Sequence, residues 1–145
     1  MILLNLKEST ISEFSMALSN HQITNTIDDD GDLAVSKNGN YSVLKIDDDK
    51  IKFFGILEFD PKYKIDHLTL FINKINYIGD ELRFTVMSAD ETDGVKIFYS
   101  TAFIRNGFID ETYLCSTIET CYEEMQRLIT LFPSMEELLA GKEDI

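Results

Sequence analysis

Apolar and polar residues recur along this chain with two different periods, and each change of period marks the border of an element. The strongest pattern lies late, between Asp110 and Phe132. Leu114, Ile118, Cys121, Tyr122, Met125, Leu128, Ile129 and Phe132 follow one another at helical spacing, which puts them on one stripe of an α-helix. Glu119, Glu123, Glu124 and Arg127 fall between them and are expected to face water. Pro133 is expected to end the helix, because proline lacks the N–H and its ring crowds the preceding turn. Such a stripe needs a surface to lie on, and the strands before it are the expected one.

The earlier segments alternate in kind. Residues 10–21 combine capping-box spacing at Thr10 and Glu13 with an apolar face of Ile11, Phe14, Ala17 and Leu18, so they predict a short helix. The acidic run at 28–32 is a turn. Residues 33–37 and 41–46 flank Asn38 and Gly39, a pair that favours a tight hairpin between extended runs. Asp47, Asp48 and Asp49 turn the chain again, and residues 51–59 form the third strand of a meander. Asp60 and Pro61 close it, since proline cannot donate to a ladder. A second helix carries Leu68, Phe71, Ile72 and Ile75 and ends near Tyr77, with Gly79 as its stop. Residues 82–88 alternate again, with Leu82, Phe84 and Val86 on one face. Residues 95–105 make the fifth strand, and Gly107 breaks it. Beyond Pro133, Ser134 and Glu137 repeat the capping-box spacing, so residues 135–140 predict a last short turn. The order helix, three strands, helix, two strands, helix argues an α+β fold, with an antiparallel sheet and helices packed on it.

The strands read as apolar on both faces. Ile51, Phe53 and Leu57 share one face of the third strand, and Phe54 and Ile56 share the other. In the fifth strand Ile97, Tyr99 and Phe103 oppose Phe98, Ala102 and Ile104, and Met87 joins the second set. If helices cover one face, the other requires a cover of its own: a crossing helix, a second copy of the chain, or a client protein. Phe54, Ile56, Met87, Phe98, Ala102 and Ile104 are therefore the candidate protein-interaction residues.

Composition narrows the classes of partner. The 145 residues fit one domain, 1–145, able to bury roughly 68–70% of its unfolded surface without a metal or disulfide. The net charge of -13 and pI near 4.4 disfavour nucleic acid and anionic lipid, whose phosphates such a surface repels. The same charge suits a basic partner, and it keeps a protein soluble. No apolar run approaches the ~20 residues of a membrane span. The opening MILLNLK has neither a basic start nor enough apolar residues for a secretion signal. Cys115 and Cys121 lie six apart on the predicted helix, too far along the axis to pair with each other. Two small core thiols fit a reducing, cytoplasmic setting.

Searching for chemistry yields little. Neither acidic turn fits a calcium loop: with Gly31 in the sixth place Thr26 falls first and Lys37 twelfth, and with Gly94 sixth Ala89 falls first. His21 and His67 have no second ligand at metal spacing. There is no nucleophile elbow, phosphate loop or dinucleotide fingerprint, so no catalytic, metal or cofactor residue is expected. Asn73 and Asn76, near the end of an apolar helix, are poor helix formers. They are expected to cap that helix and bond the turn into the next strand.

These asparagines lie in one of four stretches by which the chain resembles the YbjN-like proteins, a family of proposed bacterial sensory transduction regulators. The stretches are DDDGDLAV at 28–35, INKIN at 72–76, Gly107 with the helix start at 110–114, and MQRLITLFPSMEELL at 125–139. Together they span about residues 10–140. The resemblance implies the fold of type III secretion chaperones, a regulatory or binding role, and no catalytic residues. The expected function is a non-enzymatic cytoplasmic protein-binding module, homodimeric, with an unidentified protein partner or client and no nucleic acid or membrane. The alternatives are a dedicated type III secretion chaperone holding an unfolded client segment and, more remotely, a hydrolase using paired carboxylates.

Overall fold

The computed structural model describes the backbone of residues 1–79, 81–90, 92 and 94–143, and their side chains apart from Ile78 and residues 135–143. Its elements run β1 (Leu3–Asn5), α1 (Ile11–Asn20), β2 (Thr24–Ile27), β3 (Leu33–Lys37), β4 (Asn40–Ile46), β5 (Lys50–Phe59), α2 (Ile65–Ile78), β6 (Arg83–Asp90), β7 (Gly94–Ile104), β8 (Phe108–Asp110) and α3 (Glu111–Glu143). Six strands form one sheet in the order β2-β3-β4-β5-β7-β6, and β1 and β8 form a two-stranded ribbon. The β2/β3, β3/β4, β4/β5 and β1/β8 pairings are antiparallel. This is the expected α+β architecture, with three short strands added. β1, β2 and β8 have three or four residues each, too few for a period of two to show.

Local chemistry sets several borders. Thr10 caps α1, its hydroxyl accepting from the Glu13 N–H at 3.3 Å, as the capping-box spacing requires. Asn38 and Gly39 both have positive φ, 53° and 81°, the conformation of a type I′ turn, whose twist matches that of the flanking strands. Lys37 and Asn40 consequently face each other at the mouth of the hairpin. Asp110 heads α3, its carboxylate accepting from the Thr112 N–H at 3.0 Å.

Two expectations need correction. α3 does not stop at Pro133 but runs through it to Glu143, so no separate turn forms at 135–140. Proline removes one hydrogen bond of the ladder, yet its φ is compatible with helix. The turn before it is anchored by Phe132, which is buried against Phe59, Tyr63 and Phe71. Glu124, expected in water, is buried, for a reason given below. The acidic loop expected at 89–94 lies partly outside the described residues.

The chain groups into two compact units, Met1–Gly55 with Ser100–Thr120, and Ile56–Tyr99 with Cys121–Ile145. In the first unit, Phe14 and Leu18 of α1, Leu33, Leu44 and Phe53 of the strands and Leu114 and Ile118 of α3 are fully buried. In the second, Leu68, Ile72, Phe84, Ile97, Tyr99, Met125 and Phe132 are buried. β5, β7 and α3 contribute residues to both.

Candidate protein-interaction face

β5 shows why an open apolar face exists. Ile51, Phe53, Leu57 and Phe59 are buried, whereas Phe54 is half-buried and Ile56 exposed. Successive side chains point to opposite sides of a strand, so one side of β5 is core and the other is not. β7 repeats the pattern. Ile97 and Tyr99 are buried, Phe98 is half-buried, and Ala102 and Ile104 are exposed. On β6, Phe84 is buried and Met87 exposed.

Every one of the six candidate residues thus lies outside the core, and they divide between the units. Phe54 on β5 and Ala102 and Ile104 on the neighbouring β7 belong to the first; Ile104 is 75% exposed. Ile56 on β5, Phe98 on β7 and Met87 on β6 belong to the second, with Ile56 45% and Met87 58% exposed. The first patch has members the apolar pattern did not single out. Val43 faces Phe54 across β4 and β5, and Tyr41, two residues earlier on the same side, is exposed. The signal was present in the alternation with buried Ser42 and Leu44.

Charge at the end of this patch is locally balanced. Lys45 and Lys52 are cross-strand partners, an unfavourable juxtaposition of like charges. Asp47 offsets it, with its Oδ2 2.8 Å from the Lys52 Nζ. The hydrogen bond from Lys52 holds the Asp47 carboxyl below the usual carboxylate range, and the same bond raises Lys52.

The asparagine pair separates into two roles. Asn76 grips the first residues of β6: its Nδ2 donates to the Phe84 carbonyl at 2.8 Å, and its Oδ1 accepts from the Phe84 N–H at 2.7 Å. This is the expected bond from helix end to strand, made to both backbone groups of one residue. Asn73 is exposed and lines a shallow groove with Leu70, Lys74 and Tyr77.

Glu124 secures the same connection from α3. Its Oε1 accepts from the Glu81 N–H at 3.1 Å and its Oε2 from the Leu82 N–H at 2.7 Å. A buried carboxylate is tolerated when donors surround it, which is why Glu124 leaves the polar face. Gly79 leaves room for this. A Cβ there would stand 2.8 Å from the Ile75 carbonyl oxygen and 3.5 Å from Glu124 Oε1. The turn also explains why Gly79 ends α2 without a left-handed conformation, at φ -77°.

The other buried carboxylate among the described residues is Glu111. It lies 3.2 Å from Asn20 Nδ2 and 3.5 Å from His21 Nε2. Glu111 and Glu124 belong to different units, and each is engaged by its own donors. Among the described residues, no group of three His, Cys, Asp or Glu is placed to hold a metal ion. Cys115 and Cys121 are buried and unpaired. Burial, with Glu111 and Glu119 adding to it, pushes the Cys115 thiol up to about 12. Burial likewise raises Cys121, helped by Glu124 and Glu81. No helix among the described residues is long and apolar enough to cross a membrane.

No protein-family model matches the chain, and no curated protein matches it. Solved structures do. YbjN from E. coli, a proposed transcription regulator, superposes with a TM-score of 0.68 at 11% identity, covering 88% of this chain and 93% of that one. An uncharacterised protein from Methanothermobacter thermautotrophicus superposes at 0.62 with 12% identity, covering 86% and 97%. At such identities the likeness concerns architecture, and the conclusion it carries is that this chain has the YbjN fold.

Proposed function

We propose that this protein is a non-enzymatic protein-binding module with a regulatory or chaperone-like role, and that its partner docks on exposed apolar strand residues, Ile56 and Met87 in one unit and Ile104 in the other. The observation that carries this reading is the exposure of Ile56, Met87 and Ile104 on strands whose other side is core. Apolar side chains left in water on a strand are a standing driving force for association, about 25 cal/mol per Å² buried. Description of a solved relative in fold as a proposed transcription regulator supports a regulatory setting, and the acidic chain favours a basic partner over a nucleic acid.

The test is affinity capture of the tagged full chain from lysate of its own cells, beside F98D and I104D variants. A partner retained by the native chain and lost by a variant with an unchanged circular dichroism spectrum supports the reading. A secreted effector among the captured proteins favours the secretion-chaperone form of it. Retention of every partner by both variants would overturn it, as would unfolding by I104D, which would place Ile104 in the ordinary core.

A further inference from the structure

The outward side of α2 carries a stripe that is complementary to itself. Asp66, Leu70, Asn73, Lys74 and Tyr77 are all exposed, and at about 100° per residue they occupy roughly a third of the helix circumference. Leu68, Phe71, Ile72 and Ile75 are buried on the opposite side, so the stripe is not needed for the core. Yet Leu70 is 61% exposed and Tyr77 91%, large groups to leave in water on one helix. Neither Asp66 nor Lys74 has an ion-pair partner among the described residues.

The spacing points to the occupant. Asp66 stands four residues before Leu70 and Lys74 four residues after it, about 6 Å along the axis in each direction. A two-fold axis at Leu70 lays a second α2 antiparallel on the first. It carries Asp66 of one copy to Lys74 of the other, twice, and brings the two Leu70 side chains together at the centre. Tyr77 of each copy then lies level with Tyr63 of the other, just ahead of its α2. A parallel arrangement would set Asp66 against Asp66 and Lys74 against Lys74. Self-complementarity under a two-fold axis is what an isologous interface requires, and an unrelated partner would impose no such symmetry.

We infer that α2 is a self-association surface: two copies of this chain pair their α2 helices antiparallel about Leu70, with an Asp66–Lys74 ion pair at each end. The contact involves one helix of 14 residues from each copy, less than the ~1,200–2,000 Å² of a standard stable interface. Association is accordingly weak, with Kd on the order of micromolar or above. This inference goes beyond the docking reading and uses different residues.

The experiment is sedimentation equilibrium on the full chain up to about 1 mM, a range set by the affinity expected from so small a contact. The native chain should associate reversibly to dimers. D66K and K74E each place like charges at both ends of the contact and should weaken self-association by about tenfold. An equimolar mixture of the two variants should dimerise again, because one chain then presents two lysines and the other two carboxylates. The double variant D66K/K74E should recover self-association on its own. A native chain that stays monomeric across the range overturns the inference. So does self-association indifferent to both single changes, or one that the mixture fails to restore. Partner capture unaffected by D66K leaves the docking reading standing whichever way this result falls.

Discussion

Asn73 and Asn76 are the same residue type three positions apart on α2, and packing gives them opposite weights. Asn76 satisfies both backbone groups of Phe84, whereas Asn73 faces water. Asn76→Ala should lower unfolding free energy by about 1–3 kcal/mol, the cost of leaving part-buried backbone groups without partners. Asn73→Ala should stay within about 0.5 kcal/mol. Urea unfolding of the two variants checks this, and equal effects would show that the clasp is not what holds β6. Cys115 supplies the pH dependence at this scale. Its thiol is pushed up to about 12 in the folded chain, against about 8.5 for a free thiol. Because the folded value is the higher, this contribution to stability is fully present below about pH 8.5 and is lost as pH rises towards 12. The urea midpoint should therefore fall between pH 9 and 11. A thiol-reactive dye at pH 8 should leave the native chain unlabelled and react with both cysteines only in urea. Rapid labelling of the native form would place the thiols at the surface.

At the scale of elements, α3 shows how packing overrides a local stop. Pro133 leaves one carbonyl of the ladder without its usual N–H, but Phe132 on one side is fixed in an aromatic cluster with Phe59, Tyr63 and Phe71. The helix continues at a cost rather than ending. Pro133→Ala should thus raise stability by about 1–3 kcal/mol, since alanine restores the bond and is the better helix former. A higher urea midpoint for the variant would agree. An unchanged or lower one would mean that the proline ring packs well enough to offset its backbone defect. The strands repay comparison with α3. β3, β4, β5 and β7 were legible because five or more residues alternate or flank a diagnostic turn. β1 and β8 became strands only by finding each other, Leu4 opposite Ile109, across more than a hundred residues of chain.

For the molecule as a whole, the two proposals assign association to different surfaces. The first places the partner on exposed apolar residues of β5, β6 and β7, and the second places another copy on the outer stripe of α2. The charge variants on α2 should therefore leave partner capture intact, while F98D and I104D should leave sedimentation behaviour unchanged. A net charge of -13 opposes close approach of two copies over a Debye length of about 8 Å at physiological salt. This is a further reason for the α2 contact to be weak and to depend on correctly placed local pairs.

Hydrophobic period alone determined the class of fold, the order of the long elements and the two-faced character of the sheet. These are properties of residues close in sequence, where the side-chain repeat of a helix or strand is written directly. The resemblance through residues 28–35, 72–76, 107–114 and 125–139 pointed to the architecture that superposition with YbjN then showed. Tertiary structure alone decided the rest. Glu124 read as a solvent residue because its helical position is polar, and only the approach of the Glu81 and Leu82 N–H groups made it a buried acceptor. Leu70 and Tyr77 lie off the apolar face of Leu68, Phe71, Ile72 and Ile75, but only the folded chain shows them left in water. Burial of a polar group and exposure of an apolar one both depend on which surfaces meet, and no local repeat encodes that.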